Sequence, residues 1–155
     1  MRTPARRGRV HAAFSLMELM IAVAIIAMLA AIAVPQYQDY VARTQFSEAM
    51  SLFGGIRTAV ESHVQMYGVG EALEREAFLD GLRTQGEYVE GVSVSTSADT
   101  VSVVIRFASE GVSPVLAGES VTLTREAADD PDEAGWSCDP DGEIAEVATG
   151  ICERP

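Results

Sequence analysis

The sequence predicts an α+β protein in which one long N-terminal α-helix packs against a small antiparallel β-sheet head closed by a C-terminal disulfide loop. Three observations carry that prediction. Residues 19–34 run for sixteen positions without a charge, residues 37–67 repeat apolar side chains every three or four positions, and the segments from Tyr88 onward alternate apolar and polar residues.

The first stretch decides the surroundings of the chain. A helix on the surface of a soluble core needs a polar face, and residues 19–34 have none, so they belong in lipid or among helices like themselves. At about 1.5 Å per residue, residues 14–34 span roughly 30 Å, the hydrocarbon thickness of a bilayer. Glu18 is the exception in this segment. A carboxylate at membrane depth costs about 2.5 kcal/mol or more, and such residues usually have a partner and a function.

Pro35 removes one backbone hydrogen bond and is expected to kink the helix without ending it. Beyond it Val41, Phe46, Ala49, Phe53, Ile56, Val60, Val64 and Tyr67 form one apolar stripe, which needs a sheet or loop to cover it. Gly54 and Gly55 weaken this half by about 2 kcal/mol relative to alanines. Gly68 and Gly70 end it. Residues 71–82, with Leu73, Phe78, Leu79 and Leu82 apolar, are expected to form a short helix in a connecting loop.

Strands are expected at residues 88–96, 100–108 and 119–125, with Val101, Val103, Ile105 and Phe107 on one side of the second and Val121 and Leu123 inward on the third. The short links between them predict an antiparallel meander whose apolar face covers the amphipathic half of the long helix. Residues 127–135 are acidic and loop-like. A fourth short strand is expected around residues 144–148.

A chain of 155 residues allows one domain, divided here into a basic leader (1–13), the long helix (14–67) and a head (68–155). So small a head buries a modest core, and a staple would help it. Cys138 and Cys152 are the only cysteines, with thirteen residues between them. A membrane-targeted amino terminus places the head outside the cytoplasm, where a disulfide persists, and closing such a loop contributes on the order of 3 kcal/mol. The alternative is two buried free thiols.

Charge is divided along the chain. Residues 1–13 carry four arginines and no acid, whereas residues 14–155 carry seven arginines and twenty-three acids. Positive residues stay on the cytoplasmic side, so the leader is inside and the head is translocated. There is no lysine. From Gly68 onward nineteen acids face five arginines, which argues against nucleic-acid phosphate binding by the head.

A basic leader ending in a small residue, Ala13, then Phe14, a carboxylate four residues later at Glu18, an apolar run and Pro35, resembles the class III signal and first helix of a type IV prepilin. The similarity continues through PQYQDYVARTQFSEAMSL (35–52) and returns in SVTLTREAAD (120–129) and GWSCDPDGEIAEVATGIC (135–152), leaving the middle unmatched. An apolar run alone fits any signal anchor. Phe14, Glu18, Pro35 and a C-terminal cysteine pair occur together far more rarely. One departure is visible: leaders of this family end in Gly, and here the residue before Phe14 is Ala13, which is also small.

The resemblance implies cleavage between Ala13 and Phe14 by a prepilin peptidase, N-methylation of Phe14, and polymerisation with sister subunits into an extracellular filament used in adhesion, twitching motility or DNA uptake. It also implies an inner-membrane assembly platform and cytoplasmic ATPases as partners. Before assembly the subunit would sit in the inner membrane with its head in the periplasm. In this reading Glu18 of an assembled subunit takes the charged amine of an incoming Phe14, and in a water-poor core each charge is costly alone.

Other candidates are weaker. Asp129, Asp130, Asp132 and Glu133, with Asp139, Asp141 and Glu143 nearby, offer oxygen ligands to calcium, but their spacing does not fit an EF-hand loop and a solvated acidic loop is the better reading. His11 and His63 stand alone, so no metal site or cofactor is expected. No catalytic constellation supports an enzyme. Trp136 beside Cys138 reads as core under the disulfide. The rival readings are a type II secretion pseudopilin, a minor pilin, and a signal-anchored periplasmic cation-binding module. A secretory signal cut near Ala31-Ile32-Ala33 would remove the whole apolar helix and leave Glu18 without a role.

Overall fold

Helix α1, Leu16–Tyr67, runs through Pro35 with its helical assignment unbroken. The structure is a computed structural model and describes residues 14–69, 73, 76–97, 99–126, 135–140 and 142–153. The chain divides into two compact units, one ending at Gln36 and the other beginning at Tyr37. In the first unit every described residue is exposed, so the apolar side chains of 19–34 find no cover there. An apolar surface of that extent marks a membrane or protein interface.

In the second unit α1 has two faces. Ala42, Gln45, Phe46, Ala49, Leu52, Phe53, Ile56 and Val60 are buried at helical spacing, while Arg43, Ser47, Ser51, Gly54, Arg57, Thr58 and Ser62 are exposed. Thr44, Ser47 and Thr58 donate their hydroxyls to carbonyls four residues back, which satisfies them within the helix. The buried stripe differs from the expected one at its ends. Ala42 is buried where Val41 is half-buried, and Tyr67 is 75% exposed, its ring lying against His63 at 5.0 Å.

Strands β1 (Val89–Ser97), β2 (Thr100–Phe107), β3 (Ser120–Glu126) and β4 (Trp136–Cys138) form one sheet in that order, every pair antiparallel. The first three lie within one residue of their expected bounds, because period-two alternation fixes which residues pair inward. The register lines up Val94, Val103, Leu123 and Cys138 across the sheet. With Val101, Ile105, Phe107 and Val121, these residues form the surface that α1 covers. Phe46 meets Phe107 at a centroid distance of 5.7 Å, and Phe53 meets Trp136 edge-on at 4.9 Å. Each such buried aromatic contributes about 1.5–3 kcal/mol.

The fourth strand is not where the sequence places it. Residues 144–147 form a short helix, α3 (Ile144–Val147), and the strand that completes the sheet is Trp136–Cys138, ahead of the disulfide loop. Ile144 and Val147 are both buried with exposed Glu146 between them. Three-residue spacing puts them on one side of a helical turn, whereas a strand would turn them to opposite faces. Of the helix expected over 71–82, the described residues include α2 (Glu76–Leu79), which stops before Gly81 at φ 84°. Residues 70–72, 74–75 and 127–134 lie outside the described residues, as does most of the acidic loop.

Candidate assembly site and the head that supports it

The amino-terminal candidates fall in the first unit, and the helix start organises them. Phe14 and Ser15 precede α1. Ser15 Oγ accepts the backbone N–H of Glu18 at 3.1 Å, and Ser15 O accepts that of Leu19 at 3.2 Å. Ser15 is therefore the N-cap and Glu18 the third helical residue, the Ser-x-x-Glu arrangement in which the acid can reach back toward the cap's own N–H. A carboxylate in the first turn also faces the positive end of the helix dipole. In a segment that leaves water, the orphan N–H groups of a helix start need such partners. The sequence reading treated Glu18 only as a charge and missed this second use, although Ser15 three residues before Glu18 was the available signal. Ala13, His11 and the rest of the leader lie outside the described residues.

In the second unit Cys138 and Cys152 are bonded, with Cα atoms 4.9 Å apart. The bond ties β4 to a 3-10 turn at Gly150–Cys152. Arg43 reaches the same loop from α1, donating to the Glu146 carbonyl at 2.5 Å, and Met50 Sδ lies 4.0 Å from Cys152 Sγ. Trp136 is core, as expected. Asp139 and Glu143 join no cluster, since no three acidic, histidine or cysteine side chains gather to hold a metal ion among the described residues. The other acidic candidates, Asp129, Asp130, Asp132, Glu133 and Asp141, lie outside those residues. His63 sits between the rings of Tyr67 and Phe78, at 5.0 and 5.5 Å.

Three polar side chains of α1 that sequence reasoning did not single out hold the head together. Gln45 Oε1 accepts the Ser113 N–H at 2.7 Å and so fixes the β2–β3 loop. Glu48 accepts the backbone N–H groups of Glu87 at 2.9 Å and Tyr88 at 2.7 Å, with Arg83 at 3.7 Å, and so fixes the entry to β1. A Cβ at Gly86 would meet that carboxylate and push it from its place. The Tyr88 phenol is pushed above its ordinary value by the Glu87 charge first, then by burial, its hydrogen bond to Glu87 and the Glu48 charge. Glu61 accepts Arg125 Nε at 3.1 Å and Trp136 Nε1 at 2.7 Å, tying α1 to β3 and β4. Arg125 is 7% exposed, and a cation so placed needs a partner.

Residues 42–152 match the family profile described as pilin, a bacterial filament protein. The chain belongs to the pilin family. Residues 8–34 match the prokaryotic N-terminal methylation motif, which covers the leader end, Phe14, Glu18 and the apolar run. Similar proteins include the fimbrial protein EcpC of Eikenella corrodens, 39% identical over 130 residues, which are 84% of this pilin and 83% of the relative. The type IV major fimbrial protein FimA of Dichelobacter nodosus is 33% identical over 158 residues, covering 88% and 92% of the two chains. A fimbrial protein of Moraxella nonliquefaciens is 38% identical over 116 residues, covering 71% and 75%.

Proposed function

We propose that this pilin is a structural subunit of a type IV pilus, held in the inner membrane by residues 14–34 with its head in the periplasm. A prepilin peptidase cuts it between Ala13 and Phe14, the new amine is N-methylated, and the subunit enters an extracellular filament through an inner-membrane platform driven by cytoplasmic ATPases. The observation that carries this reading is the methylation motif at residues 8–34, which takes in the start of a helix whose apolar surface has no cover in its own unit.

The mechanism is transfer of apolar surface. Each helix exchanges lipid for sister helices, so packing and the few polar contacts decide register. Glu18 supplies the negative charge for the Phe14 amine in that setting, and Pro35 is tolerated where neighbours surround it. A fimbrial rather than a secretion-system role is favoured by the similarity to proteins named fimbrial over most of their length.

Mass spectrometry of sheared surface filaments tests this. The expected subunit begins at N-methylated Phe14. A filament fraction lacking this chain, or a mature chain beginning at Met1 or after Ala33, would remove the reading. Replacing Ala13 with Gly reads the cost of the departure in the leader: faster processing shows that alanine slows the peptidase, and an unchanged rate shows that it is accepted fully.

A further inference from the structure

Tyr37 and Tyr40 are each 68% exposed, at the first turn of the second unit. They are three residues apart on α1, so their rings share one side of the helix. Neither belongs to the core cluster, whose first member is Ala42, and neither ring stacks on another aromatic among the described residues. Elsewhere in the second unit the exposed large apolar side chains among the described residues are Met66, Tyr67 and Ile151, all distant from this turn in sequence. Asp39, between them in sequence, lies on the far side of the turn.

Their place in the chain supplies the reason. They follow the sixteen uncharged residues 19–34 by three and six positions. The hydrocarbon core is about 30 Å thick, which residues 14–34 match, and the headgroup layer adds several ångströms on each side. The next helical turn is therefore at headgroup depth. Tyrosine suits that layer because its ring is apolar and its hydroxyl seeks water or a lipid carbonyl.

We propose that Tyr37 and Tyr40 form a lipid-binding collar that seats the unassembled subunit at the headgroup boundary of a phospholipid bilayer on the periplasmic side. The inference rests on the membrane-held reading above. The collar fixes how far the second unit stands out of the membrane.

The test uses the full chain reconstituted in phosphatidylethanolamine–phosphatidylglycerol vesicles, with Trp136 of the unmodified chain as the fluorescence blank. Tyr37→Trp and Tyr40→Trp chains are each compared in vesicles whose lipids are brominated near the carbonyl or near the chain end. The expected result is quenching above the blank in both, about twofold stronger with bromine near the carbonyl. Quenching no greater than the blank would put the tyrosines in water, and stronger quenching from the chain end would put them in hydrocarbon; either overturns the collar. A loss of filaments from Tyr37→Ala with no lipid quenching of Tyr37→Trp would assign the rings to sister subunits instead and also overturn it. Leu29→Trp separates this from the parent reading: it should be quenched most from the chain end, and its failure would overturn the membrane span itself.

Discussion

Trp136 Nε1 donates to Glu61 Oε1 at 2.7 Å, and the same carboxylate takes Arg125 Nε at 3.1 Å, so one side chain of α1 satisfies two buried donors on neighbouring strands. Glu61→Ala leaves both donors without an acceptor, and the cation is the costlier of the two. The expected loss is about 2–3 kcal/mol, seen as a fall in Tm on the order of 10 °C for the chain in detergent. Glu61→Gln keeps an acceptor for the indole and should lose less. Equal stability of Glu61→Ala and the unmodified chain would show that solvent replaces the carboxylate.

Gly86→Ala should act through Glu48. A Cβ at that position meets the carboxylate that holds the Glu87 and Tyr88 N–H groups. Displacing it costs about 1–3 kcal/mol, and Glu48→Ala should cost a similar amount. Because both changes break one contact, the double variant should be far less destabilised than the sum. Additive losses by urea denaturation would mean that the two residues act separately.

The Tyr88 phenol should titrate above the ordinary tyrosine value of about 10. The Glu87 charge is the largest cause, so Glu87→Gln should bring the midpoint down. The raised folded value sets the sign for stability. This contribution is fully present below the unfolded tyrosine value and is lost as pH rises through the folded one. Phenolate absorbance of the unmodified chain minus that of Tyr88→Phe isolates the group, and a midpoint at or below the ordinary value contradicts the assignment.

Breaking the disulfide should affect the head alone. Cys152→Ser releases the 3-10 turn from β4 and removes a contribution of about 3 kcal/mol. Membrane insertion and cleavage should persist, while filament yield falls. Two titratable thiols per denatured, never-reduced chain would show that the bond is not formed in the cell.

Ser15 and Glu18 should separate helix capping from charge. Ser15→Ala removes the hydroxyl that takes the Glu18 N–H and should weaken the helix start by about 1 kcal/mol while keeping the carboxylate. Glu18→Gln retains a side chain able to complete the capping box but has no charge. If the ion pair with an incoming Phe14 amine registers the filament, Gln should fail nearly as badly as Ala, with Asp recovering part of the yield. Wild-type filament yield from Glu18→Gln, with cleavage intact, would assign assembly to helix packing alone.

How much of this was legible depended on whether a residue's partner has a sequence signature. The first three strands were legible because alternation states which side each residue faces, and the amphipathic half of α1 because its stripe has a period. Four residues such as 144–147 are too few to separate the two periods, and there the expectation of a strand was wrong. Arg125 stood in plain view at inward parity with Val121 and Leu123, yet its partner Glu61 lies sixty-four positions away. Glu48 was not legible at all, because it binds backbone N–H groups, which every residue except proline supplies. Glu18 was visible as a charge near a cleavage pattern, and its capping relation with Ser15 only emerged with the helix start in place.

The sheet order β1-β2-β3-β4 repeats the order of the chain, with α1 ahead of all four strands. A head threaded through a membrane from its helix onward therefore never has to slot a late strand between two early ones. Each segment that emerges adds to the most recent edge, on a helical surface already present, and each strand pairs with its neighbour in sequence, the local pairing that favours rapid folding. The last edge to form is only three residues long. So short an edge offers little for another chain's strand to pair with, whereas the opposite edge, β1, is nine residues long.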